Sequence, residues 1–296
     1  MNATRNAAWR LTVAMMIFGT IGIFVRGISL PSAEIALFRV VIGAIIVGGY
    51  LLITKQGFGF SSLRGVWRFL LPSGAVLGIN WIFLFEAYRY TTVSVATLSY
   101  YFAPILVTLL CPLFFKEKTT RKQLLCFVGA TIGLVLCTGI GNTSEKPENL
   151  LGVMLGLIAA TLYAAIVLLN KHLSAVPGTQ RTFWQFIIAA VVLTPYVLCT
   201  DGIAVHRLDG NGIFALLLVG IIHSGIAYCL YFSAISQIKG QQVALLSYVD
   251  PLTAVVLSVT VLGEPLTLWQ AIGGSMILVF TLLAEIPINT RKGLRH

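Results

Sequence analysis

The sequence predicts an all-α membrane protein of ten transmembrane helices, arranged as two inverted five-helix repeats around a central cavity. Three observations carry this expectation. Only 10% of the 296 residues are charged and 57% are hydrophobic, whereas a soluble domain carries about 25% charged residues to keep its surface solvated. Apolar stretches recur at the length of about 20 residues that a helix needs to cross about 30 Å of hydrocarbon. The third to fifth apolar segments also recur as the eighth to tenth at an offset of 147 positions, while the first two match the sixth and seventh only weakly.

The apolar segments run over 8–27, 32–53, 67–88, 92–115, 122–140, 150–171, 181–200, 212–235, 241–262 and 268–287. Polar and glycine clusters separate them: Lys55-Gln56-Gly57, Gly141-Asn142-Thr143-Ser144, Asp201-Gly202 and Asp209-Gly210-Asn211-Gly212. The first segment follows Arg5 and Arg10 and is expected to be a retained helix, because no cleavage site accompanies it. No connection is long enough to hold a soluble domain, so the chemistry is expected among the helices. The net charge of +10 comes from basic residues at helix ends without an aromatic-interleaved patch, which argues against a nucleic-acid partner. The five cysteines fall inside apolar segments with no C-x-x-C spacing and read as packing residues.

Orientation follows from where Lys and Arg fall when the segments alternate across the bilayer. Of the 20 basic residues, Arg26, Arg89, Lys146 and Arg207 lie on one side, Arg39 lies within the second segment, and the remaining fifteen lie on the side of the N-terminus. Both termini are therefore expected in the cytoplasm, with the chain in the plasma membrane.

The offset pairs Phe85 with Phe232, Ala87 with Ala234, Leu98 with Leu245 and Tyr101 with Tyr248. It also pairs Pro104 with Pro251, Glu117 with Glu264, Thr120 with Thr267 and Gln123 with Gln270. Two units are expected, 1–145 and 146–296. An odd number of helices per unit makes the second enter the membrane in the opposite sense, the symmetry that secondary transporters use to place one site between two halves.

These residues resemble the EamA-type branch of the drug/metabolite transporter superfamily. The resemblance rests on an F-x-A helix end (Phe85-Glu86-Ala87, then Phe232-Ser233-Ala234), a helix with a central proline (Pro104, Pro251), a terminal acid (Glu117, Glu264) and a glycine-containing helix. It implies a ten-helix carrier whose cavity is lined by helices 1, 3, 4, 6, 8 and 9. It also implies solutes such as amino acids and their derivatives, sugars, nucleosides or cationic drugs, often moved outward.

Asp250, in the middle of the ninth segment and followed by Pro251, is the strongest site candidate. An acid at the bilayer centre costs about 2.5–3.5 kcal/mol on insertion scales and needs a partner or a watery cavity. It reads either as a cation-binding or proton-coupling carboxylate, or as a buried ion paired with Arg39 or His223. His223 reads as a proton acceptor or as a hydrogen-bonded link between helices. Arg39 reads as a carboxylate ligand or, preferentially, as an anchor whose side chain snorkels to the interface. Glu86 reads as interfacial. Asn80, Trp81, Tyr100, Tyr101, Tyr228 and Tyr248 are expected about the cavity, where aromatic faces attract cations and stack on planar solutes. Pro104 and Pro251 are expected to act as hinges. Three G-x-x-x-G spacings, at Gly74/Gly78, Gly129/Gly133 and Gly152/Gly156, are expected at close helix crossings.

The sequence has no G-x-x-x-x-G-K-[ST], H-E-x-x-H or G-x-S-x-G motif and no paired Cys/His ligand set. No ATP site, metal, cofactor or enzymatic activity is expected. The expected function is secondary export of small metabolites, amino acids or related amines, by alternating access with protons or another coupling ion. The competing readings are a membrane-embedded lipid-modifying enzyme, which would need a nucleophile or metal set, and a non-transporting structural subunit.

Overall fold

The computed structural model describes residues 2–60, 62–63, 65–115, 120–137, 148–200 and 202–285. Arg64, Lys116, Glu117, Lys118, Lys146, Arg291, Lys292, Arg295, Asp201 and the Gly141–Ser144 turn lie outside the described residues, as does the boundary between the two expected units. Every described element is helical. They are α1 (Asn2–Gly19), α2 (Ile21–Arg26), α3 (Ser32–Ile53), α4 (Trp67–Tyr90), α5 (Val93–Tyr100), α6 (Ala103–Phe115) and α7 (Arg121–Cys137). There follow α8 (Glu148–Lys171), α9 (Gly178–Cys199), α10 (Gly210–Leu218), a π-helical segment (Val219–Ile226), α11 (Ala227–Ile235), α12 (Gly240–Ser247), α13 (Val249–Thr260) and α14 (Leu268–Glu285). A single 3-10 turn, Val205–Arg207, precedes α10.

Among the described residues, seven stretches are long and apolar enough to cross a membrane: Arg5–Arg26, Ser32–Ile53, Trp67–Tyr90, Val93–Cys111, Glu148–Lys171, Gly178–Cys199 and Gly210–Ile235. Leu245–Thr260 and Leu268–Ala284 are shorter apolar helices, and α7 has 17 residues. Apolar side chains face outward as well as inward, with Leu125 69% and Val191 68% exposed. That is the surface expected of a protein dissolved in lipid.

The helices start and stop for local reasons. Thr120 and Gln123 form a capping box at α7, with Thr120 N donating to Gln123 Oε1 at 2.8 Å and Gln123 N to Thr120 Oγ1 at 3.2 Å. Thr267 and Gln270 repeat it at α14, at 3.0 and 3.2 Å, so equivalent residues satisfy equivalent orphan N–H groups. Pro31 and Pro177 stand as N-caps of α3 and α9, each with ψ near the extended range (142° and 138°), as fits a residue that cannot extend a helix backward.

Three of the expected continuous segments are broken. The fourth divides at Tyr101–Phe102 and the ninth at Tyr248, because Pro104 and Pro251 have no N–H to offer the carbonyls four residues earlier. Both prolines sit in the first turn of the following half-helix, α6 or α13. The first segment breaks at Thr20, whose hydroxyl donates to the Ile17 carbonyl at 2.7 Å. The eighth contains the π-helical segment, in which Ser224 Oγ donates to the Val219 carbonyl at 3.2 Å, five residues back.

The main packing partners are α4 with α8, α7 with α14, α3 with both α9 and the π-helical segment, and α1 with α11. All three G-x-x-x-G spacings lie at crossings. Gly74 and Gly78 face α9, Gly152 and Gly156 face α5 and the turn before it, and Gly129 and Gly133 face α14. A Cβ on Gly133 would lie 2.6 Å from the Gly273 carbonyl oxygen and 2.8 Å from Met276 Cβ, closer than packing permits. Half-helix α5 packs against α13, whereas α6 and α12 make no comparable contact among the described residues.

Candidate functional site

Two breaks bring the key side chains together. Tyr101 and Tyr248 end their half-helices at equivalent places, and their rings lie 6.4 Å apart. The Tyr101 hydroxyl donates to Asp250 Oδ2 at 2.6 Å and lies 3.4 Å from the Ser247 carbonyl. That carbonyl is the one that Pro251 leaves without its helical donor. Asp250 therefore stands in the first turn of α13 and not in mid-helix, because the segment restarts after Tyr248. It is half-buried. Neither Arg39 nor His223 lies within ion-pair distance of it among the described residues, although Arg39 is within its electrostatic reach. Helix α1 closes over it: a Cβ on Gly19 would lie 2.5 Å from the Asp250 carbonyl oxygen and 2.6 Å from Thr253 Cβ.

Arg39 departs from expectation. Its side chain does not snorkel; it is 4% exposed, with the guanidinium carbon 3.7 Å from the centre of the Trp81 ring and 5.5 Å from that of Phe85. Arg39 Nε donates to Ser224 Oγ at 2.7 Å, and Ser224 in turn donates within the π-helical segment. The local pattern that unwinds the eighth segment thus presents an oxygen to Arg39. Phe186 packs on Trp81 at 5.7 Å and on Tyr228 at 5.4 Å, and Tyr100 meets Tyr101 edge-on at 6.3 Å. Tyr88, Tyr100, Tyr228 and Asp250 are all within electrostatic reach of Arg39.

Asn80 and His223 lie beside this group, and each is bonded to a neighbouring helix. Asn80 Nδ2 donates to the Ala159 carbonyl on α8 at 2.5 Å. His223 Nε2 lies 2.8 Å from Thr20 Oγ1 and Nδ1 lies 3.2 Å from the Leu218 carbonyl, so the buried ring ties the break in the first segment to the π-helical segment. The structure therefore gathers Trp81, Tyr101, Tyr228, Tyr248 and Asp250 with Arg39, and turns Asn80 and His223 toward neighbouring helices.

A second cluster was not anticipated from the sequence. Glu264, 9% exposed, accepts from Val93 N at 2.8 Å and from the Ser258 hydroxyl, and it pairs with Arg26. Ser94 N donates to Ser258 Oγ at 3.3 Å, and Arg26 also donates to the Thr91 carbonyl at 3.3 Å. These contacts join α2 and α5 to the end of α13. Nearby, Glu86 accepts from Ser32 at 2.5 Å and pairs with Arg89 at 3.4 Å. The cleft at this end, lined by Arg26, Ser32, Phe85, Tyr88 and Arg89 among others, has a volume of only about 40 Å³. The signal was present in the recurrence of Glu117 at Glu264, but nothing local names Arg26 as its partner. At the opposite end a buried polar knot links α4, α8 and α9: Gln185 Nε2 and Ser73 Oγ donate to Asn170 Oδ1 at 2.9 and 3.1 Å.

Residues 7–139 and 150–285 each match the EamA-like transporter family. An uncharacterized transporter of Bacillus subtilis, YxxF, is 30% identical over 97% of this chain and 91% of its own. An uncharacterized transporter of Archaeoglobus fulgidus is 27% identical over 93% and 94%, and the protein PecM of Dickeya dadantii is 25% identical over 88% and 86%. A solved structure described only as the crystal structure of a protein superposes with a TM-score of 0.64 at 20% identity, covering 95% of this chain and 96% of that one, a likeness of fold alone.

Proposed function

The chain belongs to the EamA-like transporter family, and from that premise we propose that it exports small metabolites, amino acids or related amines, by alternating access without ATP. The observation that carries the solute class is Asp250: a half-buried carboxylate, held by Tyr101 at 2.6 Å, with no cation paired to it among the described residues. A solute ammonium, or a proton, supplies the missing positive charge. Trp81, Tyr228 and the Tyr101–Tyr248 pair offer aromatic faces to the rest of the solute.

Alternating access draws support from how the helices pair. Shifted by 147 positions, α4 on α8 becomes α11 on α1, α3 on the π-helical segment becomes α9 on α4, and α6 on α8 becomes α13 on α1. The contacts α3 on α9 and α7 on α14 map onto themselves. Such a set is what two inverted repeats would make, and the twofold match to the family fits it. The excess of basic residues on the N-terminal side supports cytoplasmic termini in a plasma membrane. Under that orientation the Arg26–Glu264 cluster is the extracellular end.

Thermal unfolding of the purified protein in detergent, with amino acids, polyamines, aromatic amines, sugars and nucleosides, tests the solute class, because a ligand of the folded state raises its melting temperature. A cationic or zwitterionic solute is expected to stabilise the wild type and not Asp250→Asn. A neutral sugar that stabilises both equally, or no response to any compound, would overturn the assignment.

A further inference from the structure

We propose that Arg39 is the carboxylate anchor of the binding site, so that the solute is an amino acid with its carboxylate on Arg39 and its ammonium toward Asp250. This rests on the transport reading above and narrows its solute class.

The geometry makes Arg39 an unbalanced charge. It lies within a membrane-spanning helix, 4% exposed, where a cation without a counter-charge is costly. One of its five N–H groups is used, by Ser224 Oγ at 2.7 Å. Among the described residues no carboxylate lies within ion-pair distance, and no acceptor is bonded to its Nη atoms. The Trp81 face at 3.7 Å fixes the guanidinium plane but supplies no negative charge. Two Nη groups in a rigid fork suit the two oxygens of a carboxylate.

An uncharged amide serves the fold at the equivalent place. Counted from the N-cap prolines Pro31 and Pro177, which open helices of 22 residues each, the position equivalent to Arg39 is Gln185. Gln185 is also buried, and its amide is satisfied within the protein, donating to Asn170 Oδ1 at 2.9 Å and to Ser73 Oγ. Arg39 carries a charge at this place, and among the described residues its Nη groups find no such acceptors. Asp250 has a similar history: its equivalent is Ala103. Each half thus contributes one charge that the other half lacks, the two are of opposite sign, and they stand within electrostatic reach of each other without pairing. A zwitterion complements such a pair, whereas a simple amine leaves Arg39 unmatched and a sugar leaves both.

The test compares each amino acid with the amine made by removing its carboxylate: phenylalanine with phenethylamine, leucine with isoamylamine and lysine with cadaverine. Binding is read by thermal shift and isothermal titration on wild type, Arg39→Gln and Arg39→Lys. In wild type at least one amino acid is expected to bind about tenfold or more tightly than its amine. Arg39→Gln should reduce that amino acid to the affinity of the amine while leaving the amine unchanged, and Arg39→Lys should restore part of the preference. The wild-type comparison stands even if a variant does not fold. Equal binding of amino acid and amine in wild type, or an unchanged preference in Arg39→Gln, overturns the carboxylate anchor. If Asp250→Asn still abolishes binding in that event, the transport reading survives. Absence of binding by every compound overturns both.

Discussion

Two pairs of half-helices related by the 147-position offset pack differently. At one end α5 packs on α13, reinforced by Val93, Ser94, Ser258, Glu264 and Arg26. At the other, the equivalent half-helices α12 and α6 make no comparable contact among the described residues. Half-helices related by the offset thus pack closely at one end and, among the described residues, make no comparable contact at the other. A protein with equivalent halves has no reason to prefer one end on architecture alone. On the alternating-access proposal, the conformation described is one of two, and the second is reached when the seams exchange roles. Such an exchange needs half-helices that swing about a fixed point, and we propose the breaks at Tyr101 and Tyr248 as the two pivots. Under the proposed orientation this conformation faces the cytoplasm.

Locking the closed seam should have the largest effect. Cysteines at positions 94 and 258, whose backbone and side chain touch at 3.3 Å, are expected to cross-link on mild oxidation. Transport should then stop completely and return on reduction. The equivalent pair, Gln241→Cys with the native Cys111, is expected to cross-link slowly in the resting protein. Equal cross-linking rates, followed by gel shift, would break the comparison between seams.

Releasing the closed seam should have a smaller effect. Glu264→Ala leaves the buried Val93 N–H without its acceptor and Arg26 without its partner, a loss of about 1–3 kcal/mol for the unmade hydrogen bond. Arg26 is 34% exposed, so the ion pair itself adds little. A lower melting temperature is expected, together with faster cross-linking of the 241–111 pair. An unchanged melting temperature would mean that the polar cluster does not hold the seam.

Much of this was legible in the sequence, and the reasons are physical. Length and apolarity located the helical segments, because lipid demands both over each crossing. The pairing of Tyr101 with Tyr248 and of Pro104 with Pro251 marked the two breaks, although the segments were expected to run continuously through them. The contacts that define the site were less visible. Arg39 gives the same local pattern whether it snorkels or folds inward, and only Trp81 and Ser224, 42 and 185 positions away, decide the matter. Likewise His223 and Asn80 look like cavity residues from their chemistry, yet Thr20 and the Ala159 carbonyl already engage them. The π-helical segment arises from carbonyls captured by Ser224 and neighbours of its own turn, which no periodicity of apolar residues records.

The most direct test of a single site serving both faces is counterflow in proteoliposomes. Vesicles loaded with an unlabelled amino acid that stabilises the protein are diluted into a trace of the labelled one, without ATP or an ion gradient. Alternating access predicts a transient accumulation of label that is faster than in empty vesicles and absent in Asp250→Asn. Label that merely equilibrates at the same rate whether or not the vesicles are preloaded would contradict it.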